Sequence, residues 1–184
     1  EHIRTLVMMS SDDMVNWTYH GLIDTAKLAP WSQNSWAPSI TSRQEADGKT
    51  HFYLYYSNSG VGSAVLTSTS PVGPWSDPLG KNIVDRSVPG VDVDAPFDPG
   101  VLIDDQGTGW LTFGGGTPKT KYMPDNARIV KLGTDMISLA SDVAKIPAPY
   151  FFEASDLNFI NGTWVYTYNT IWESRTEWPY TNID

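Results

Sequence analysis

Three stretches of the chain alternate apolar and polar positions, and each directly follows a turn signal. The alternating runs are HFYLYYS (51–57), GWLTFGG (109–115) and TWVYTYN (163–169). The turn signals before them are Asp47-Gly48, Asp105-Gln106-Gly107 and Asn161-Gly162. Alternation with period two and many aromatic residues is typical of β-strands, and Gly or Asn-Gly accepts the positive φ of a hairpin turn. The pattern therefore predicts three β-hairpins.

The hairpins belong to an internal repeat of about sixty residues. Each unit starts at a pair that contains an aromatic residue, and the aligned pairs are Trp36-Ala37, Phe97-Asp98 and Phe152-Glu153. In this alignment the second members, Ala37, Asp98 and Glu153, take equivalent positions. A third strand with a corner rich in Ser, Thr and Asp also recurs, and its copies end at Trp17, Trp75 and Leu139.

The repeat predicts consecutive four-stranded antiparallel units, which is the blade pattern of a β-propeller. No stretch shows a sustained helical stripe with caps, so we expect an all-β chain. The alternative is an ordinary β-sandwich in which the likeness between units arises by chance.

The register of the repeat predicts that residues 1–184 form a partial propeller domain. Residues 6–17 match the third strand of a unit, so the chain is expected to run from the end of blade 1 through the first half of blade 4. About three blades are then present, and a propeller must close to hide its strand edges. We therefore expect further blades outside this sequence. The tail 171–180, which holds Glu173 and Glu177, is predicted to be the next strand and its loop.

The composition argues against several classes of binding partner. The net charge of −9 and the pI near 4.6 argue against nucleic acid, because phosphate binding needs a basic face. No apolar run approaches the roughly 20 residues of a membrane helix, so no membrane partner is expected. There is no Cys, and His2, His20 and His51 fit no metal-ligand spacing, so no metal ligand is assigned. Eight Trp and nine Tyr suit a β core or stacking on sugar rings, and we assign most of them to the core.

Two acids stand at the start of predicted innermost strands, in APFDPGV (95–101) and APYFFEAS (148–155). Innermost strands line the central channel of a propeller, so Asp98 and Glu153 are expected to converge at its mouth. Cleavage of a glycosidic bond needs one protonated carboxyl and one carboxylate. The flanking aromatics Trp36, Phe97 and Phe152 would raise the pKa of a carboxylic acid.

Each acid has a structural alternative. An Asp before a proline, as at Asp98, is common where a strand begins after a turn. Glu153 follows three aromatic residues in a segment predicted to be buried, and a buried Glu without a partner or a function is rare. Their shared place in the repeat favours a functional role for both.

Four segments in this order and spacing closely resemble glycoside hydrolase family 43. They are SWAPSI, FDPGVLIDDQGTGWLTFGGG, ARIVKL and APYFFEAS. Within the family they look most like the arabinoxylan arabinofuranohydrolase branch. The resemblance implies a five-bladed propeller that hydrolyses glycosidic bonds with inversion of configuration, most simply by releasing arabinofuranosyl side chains from arabinoxylan.

The resemblance also implies roles for individual residues. Glu153 matches the family's general acid, and Asp98 matches the Asp that orients this acid and tunes its pKa. Trp36 matches an aromatic residue that lines the sugar pocket, and Asn34 and Phe97 are further candidate pocket residues. The family's general base starts the first blade, one repeat before Ala37, which falls outside the chain. Residues 1–184 alone are therefore predicted to be inactive.

The remaining expectations concern ligands and location. The implied partner is a polysaccharide or oligosaccharide such as arabinoxylan, xylan or arabinan. No cofactor is required, although a structural calcium is compatible with the full domain. The implied enzyme is extracellular, while residues 1–13 do not form a signal peptide.

Other activities stay open. A β-xylosidase or an arabinanase of the same family would carry the same acids, and so would a carbohydrate-binding propeller that has lost its chemistry. The related fructan and sucrose enzymes are disfavoured. Their Arg-Asp-Pro and Glu-Cys-Pro segments are absent, since Phe97 precedes Asp98 and Ala154 follows Glu153.

Overall fold

The computed structural model describes residues 2–116 and 122–170, and the strand predicted in the tail 171–180 lies outside them. The described residues form twelve strands and one helical turn. The strands are β1 (Thr5–Ser10), β2 (Thr18–Asp24), β3 (Trp36–Gln44), β4 (Thr50–Asn58), β5 (Gly62–Ser68), β6 (Val84–Asp85), β7 (Gly100–Ile103), β8 (Gly109–Gly114), β9 (Ala127–Lys131), β10 (Ala144–Lys145), β11 (Phe151–Ile160) and β12 (Thr163–Thr170). The helical turn α1 spans Thr25–Leu28.

The strands form four antiparallel sheets in chain order. Two of them are complete four-stranded meanders, β3-β4-β5-β6 and β7-β8-β9-β10. They are flanked by the two-stranded sheets β1-β2 and β11-β12. Twelve strands correspond to three four-stranded blades, and a meander of adjacent antiparallel strands is the blade of a propeller.

The three hairpins predicted from the alternating runs are confirmed. The runs form β4, β8 and β12, each the second strand of its sheet. Asp47-Gly48, Gly107 and Asn161-Gly162 lie in the turns before them, and these glycines all have positive φ, from 77° to 79°. Glycine populates this region at little cost, which explains why the turn signals identified the hairpins correctly.

The fourth strand of each complete sheet is much shorter than a regular blade predicts. β6 and β10 have two residues each. Before β6 the chain makes an isolated bridge between Thr67 and Ser76, and before β10 a second bridge joins Leu132 to Leu139. Three prolines lie between β5 and β6, and proline cannot donate to a strand ladder. The outer edge is therefore an irregular loop with short paired segments.

The largest core cluster lies between the two complete sheets. It combines buried residues of β4 and β5 with buried residues of β8 and β9, including Tyr55, Val65, Leu111 and Val130. The hydroxyl of Tyr55, which is fully buried, donates to the carbonyl of Met136 in the neighbouring sheet. Three aromatic residues, Tyr53, Tyr55 and Phe113, thus belong to this core.

The helical turn α1 was not predicted from the sequence pattern. It is capped by Asp24, whose side chain accepts the backbone N–H of Lys27 at 3.2 Å. One turn carries no repeating apolar stripe, so periodicity cannot reveal it. Among the residues that the structure describes, no helix has the length and apolar character needed to cross a bilayer.

Candidate active site

A left-handed residue lies at the start of the inner strand in three of the four sheets, those that begin with β3, β7 and β11. Ala37 (φ 43°), Asp98 (φ 52°) and Ala154 (φ 57°) all have positive φ. In β3 the pairing register shifts between Trp36 and Ser39, and in β11 it shifts between Glu153 and Asp156. Positive φ is uncommon outside glycine, so its recurrence at this place identifies a β-bulge shared by the blades.

The bulge corrects the sequence alignment by one residue. Trp36 pairs with Ser57, Phe97 accepts the N–H of Gly114 at 3.0 Å, and Glu153 pairs with Asn169. Glu153 is therefore equivalent to Trp36 and Phe97, whereas Ala154 is equivalent to Ala37 and Asp98. The prediction that Ala37, Asp98 and Glu153 take equivalent positions is wrong for Glu153. The alignment matched one acid with another, while the backbone places the two acids on successive positions of the bulge.

Asp98 connects three blades through its hydrogen bonds. Its side chain is 9% exposed. Oδ1 accepts the hydroxyl of Ser57 at 3.2 Å, and Oδ2 accepts the backbone N–H of Ala154 at 3.2 Å. The backbone N–H of Asp98 in turn donates to Oγ of Ser57 at 2.8 Å. Burial raises the pKa of the Asp98 carboxyl, and the donors from Ser57 and Ala154 oppose this shift.

Glu153 is half-buried and lies close enough to Asp98 for their charges to interact. Burial is the main cause that raises the pKa of the Glu153 carboxyl, and the charge of Asp98 raises it further. An acid whose pKa is raised in this way keeps its proton at higher pH. The structure thus brings together the two acids proposed from the repeat, on adjoining inner strands and with coupled charges.

The aromatic residues at the bulges have different surroundings. Trp36 is partly exposed at the position equivalent to Glu153. The ring of Phe97 lies against Gly115, where an added Cβ would stand 2.2 Å from Cε1 of Phe97. Gly115 is therefore required by this close approach, while Gly114 lies against Asn126 and Gly116 against Asp94. No contact of these glycines was predicted from the sequence, although glycine in a strand often marks a close approach of another part of the chain.

Asn34 makes two side-chain hydrogen bonds that connect separate parts of the chain. It is buried, its Oδ1 accepts the N–H of Ile3 at 2.7 Å, and its Nδ2 donates to Ser59 at 2.8 Å. These bonds tie the first strand region to the turn after β4. The expected contact of Asn34 with sugar stays a prediction.

Arg128 holds the main chain that precedes Asp98. Its guanidinium is fully buried and donates to main-chain carbonyl oxygens. The acceptors are Gly90, Val91, Asp92, Asp125 and Ala127. Residues 90–92 lead directly into the Asp98 segment, so this side chain fixes the path of the approaching chain. This role could not be predicted from the sequence.

The described residues contain no group of three or more His, Cys, Asp or Glu side chains arranged to hold a metal ion. A cavity of about 350 Å³ lies between the sheets β7-β10 and β11-β12. Its lining is apolar and includes neither acid, with residues Trp110, Ile129, Ile146, Leu157, Trp164 and Tyr166. The two acids instead lie where the inner strands begin, at the β-bulges.

Comparison with known proteins agrees with this geometry. The sequence matches Glycosyl hydrolases family 43 over residues 1–173. An arabinoxylan arabinofuranohydrolase of Paenibacillus polymyxa is 44% identical over 176 residues, which are 88% of this chain and 28% of that protein.

Two solved structures extend the comparison. A family 43 arabinoxylan arabinofuranohydrolase from Bacillus subtilis, in complex with cellotetraose, gives a TM-score of 0.86 at 44% identity over 90% of this chain and 37% of its own. An α-L-arabinofuranosidase from Clostridium thermocellum gives a TM-score of 0.80 at 38% identity. The match covers 92% of this chain and 54% of that chain. This chain spans less than two thirds of the length of each of these proteins. The family match and the shared blades lead to one conclusion: the chain belongs to glycosyl hydrolase family 43 and forms part of its five-bladed β-propeller.

Proposed function

We propose that the protein containing this chain hydrolyses the bonds that attach arabinofuranosyl side chains to arabinoxylan, with inversion of configuration. The observation that carries the proposal is the coupling of Asp98 and Glu153 across neighbouring blades. It provides one carboxyl with a raised pKa beside a second carboxyl that is held by hydrogen bonds, which suits the cleavage of a glycosidic bond.

Glu153 is the proposed general acid. In a single displacement, a base removes a proton from water, and the water oxygen forms a bond to the anomeric carbon. The bond from this carbon to the leaving oxygen breaks, and that oxygen takes the proton of Glu153. The free sugar and the debranched polymer leave, the base gives its proton to solvent, and Glu153 regains a proton from solvent.

Asp98 is the proposed positioning residue for Glu153. Its Oδ2 accepts the N–H of Ala154, the residue that follows the acid. This bond restrains the backbone beside Glu153, and the negative charge of Asp98 favours the protonated form of Glu153.

The general base is proposed to lie outside residues 1–184. At the position equivalent to Asp98 on β3 stands Ala37, which has no carboxylate. For inversion the base should stand roughly 6.5–9.5 Å from Glu153, which leaves room for the water. Residues 1–184 by themselves are accordingly proposed not to turn over substrate.

Two observations support the substrate class. The relatives with 44% identity are named arabinoxylan arabinofuranohydrolases, and one was solved with a tetrasaccharide. The net charge of −9 also suits an uncharged polymer better than an anionic one. Because such polymers stay outside the cell, we propose that the protein is secreted.

The test is product analysis with the full-length protein on arabinoxylan. The proposal expects free arabinose and an intact xylan backbone, with the inverted anomer formed first in the NMR spectrum. Glu153→Gln should abolish this release, while Asp105→Asn, a change at an exposed turn carboxylate, should not. Release of xylose or of arabinan fragments would instead identify a β-xylosidase or an arabinanase. Binding without any product would identify a carbohydrate-binding propeller.

A further inference from the structure

The sequence contains a single Asn-Gly pair, Asn161-Gly162, and the structure places it in an exposed hairpin turn. The two residues form the loop between Ile160 and Thr163, which pair across β11 and β12. Asn161 has φ 51° and Gly162 has φ 79°, and positive φ at both central residues is typical of a type I′ turn. The turn therefore holds the pair outside the strand ladder and in contact with water.

An asparagine before a glycine is open to attack by the main chain on its own side chain. The backbone nitrogen of the glycine bonds to Cγ of the asparagine, its proton leaves with the side-chain amide as ammonia, and a succinimide ring forms. Water then opens this ring at either carbonyl carbon and produces aspartate or isoaspartate. Gly162 has no Cβ to shield its nitrogen, and nothing lies within 4 Å of the position that a Cβ would take. The attacking nitrogen is therefore unobstructed.

Hydrogen bonds restrain most other asparagine side chains in the described part of the chain. The bonded residues are Asn16, Asn34, Asn58, Asn82, Asn126 and Asn158. Asn169 is exposed, but the β-branched Thr170 follows it and pairs with Phe151 in the ladder. Asn161 is exposed too, and its amide makes no hydrogen bond to the residues that the structure describes. Its side chain is thus free to reach the nitrogen of Gly162.

We propose that Asn161 is a site of spontaneous deamidation and that the isoaspartate product loosens the hairpin β11-β12. Aspartate keeps the spacing of the main chain and adds a negative charge. Isoaspartate continues the chain through its side-chain carbonyl, which adds a methylene group to the main chain of the loop. A longer loop no longer joins Ile160 to Thr163 with the turn geometry that fixes the register of the two strands. This inference does not depend on the proposed function.

The hairpin supports the segment that carries Glu153. The ring of Phe151 stacks on Tyr166, with 6.4 Å between centroids, and lies 5.4 Å from the ring of Tyr168. Glu153 itself pairs with Asn169 on β12. Because these contacts all join β11 to β12, a change at the turn acts on the strand pair to which Glu153 belongs.

The experiment ages the full-length protein at mildly alkaline pH and follows its tryptic peptides by mass spectrometry. Cleavage after Lys145 and Arg175 releases a peptide that contains Asn158, Asn161 and Asn169, so two internal controls share each spectrum. Asn161 should change from amide to acid at least about tenfold faster than either control, a difference of about 1.4 kcal/mol in activation free energy. Equal rates at the three positions, or an earlier change at Asn158 or Asn169, would overturn the inference.

Two variants test the role of the turn. Gly162→Ala places a Cβ beside the attacking nitrogen and should slow the reaction at Asn161 about tenfold. Gly48→Ala is the matched control, since Gly48 has φ 77° in another exposed turn with nothing within 4 Å of an added Cβ. It should leave the reaction at Asn161 unchanged. Deamidation of Gly162→Ala at the wild-type rate would contradict the proposed attack.

Thermal unfolding tests the effect on the hairpin. Aged wild-type protein, in which an isoaspartate methyltransferase detects the product, should unfold at a lower temperature than fresh protein, while aged Gly162→Ala should keep its own midpoint. Asn161→Asp carries the charge without the longer main chain and should unfold at the wild-type temperature. A sample rich in isoaspartate that keeps the original midpoint would refute the loosening of the hairpin.

Discussion

The backbone N–H of Ala154 donates to Oδ2 of Asp98 at 3.2 Å and joins the inner strands of two neighbouring blades. Since Ala154 follows Glu153, this bond fixes the main chain beside the proposed acid. The same Asp98 raises the pKa of the Glu153 carboxyl through its charge. One side chain therefore influences both the position and the protonation of Glu153.

Replacing Asp98 by Asn should move the pH profile of the enzyme. A general acid must be protonated, so the rate falls as pH rises through the pKa of Glu153. Removing the charge of Asp98 lowers this pKa, and the alkaline limb of kcat/KM should move to lower pH. The measurement is the pH dependence of arabinose release by the full-length protein, with Asp105→Asn as control. An alkaline limb at the same pH in both variants would show that Asp98 does not act on the acid.

Replacing Ser57 by Ala should destabilise the protein and perturb Asp98. Ser57 is fully buried, donates to the Asp98 carboxylate and accepts its N–H, so the change leaves buried polar groups unsatisfied at a cost of about 1–3 kcal/mol. The pKa of Asp98 should rise further, because one opposing donor is lost. Ser63→Ala is the matched control: Ser63 is equally buried but donates to the carbonyl of Pro96. Urea denaturation should detect both losses, whereas only Ser57→Ala should change the pH profile.

Replacing Ala154 by Gly should stabilise the fold. A left-handed conformation costs a residue with a Cβ roughly 1–2 kcal/mol, and glycine loses about 0.5–1 kcal/mol more on folding than alanine. The expected net gain is about 0.5–1 kcal/mol in the free energy of unfolding. Ala144→Gly, in β10, should instead lose about 0.5–1 kcal/mol. Equal losses in the two variants would mean that the bulge is not strained at Ala154.

Replacing Gly115 by Ala should displace Phe97 and lower stability. Its φ is 149°, and the new Cβ would overlap the Phe97 ring. Gly107→Ala separates the cost of the positive φ from the cost of the overlap. Gly107 has φ 77°, but nothing lies within 4 Å of the position that an added Cβ would take. Gly115→Ala should therefore cost about 1–3 kcal/mol more than Gly107→Ala in thermal unfolding. A similar cost for both would show that the contact with Phe97 is soft.

The hairpins and the repeat could be predicted because both depend on local chemistry. Gly48, Gly107 and Gly162 are glycines that the turns need for positive φ, and the strands after them alternate with period two. The convergence of Asp98 and Glu153 followed from the repeat, since equivalent ends of inner strands meet around one axis.

The details that were missed depend on tertiary contacts. The bulge at Ala154 shifts the register by one residue, and no change in the apolar pattern announces it. Ser57 is one of many serines at strand ends, and its importance appears only when the next blade brings Asp98 against it. The shortness of β6 and β10 likewise depends on how the outer loops pack.

The five acceptors of Arg128 are all carbonyl oxygens of the main chain, which every amino acid possesses. The guanidinium consequently holds the main-chain path of residues 90–92, and the charges of Asp125 and Asp92 favour its protonated form. The hydrogen bonds of the buried arginine thus preserve the main-chain scaffold on which Asp98 stands.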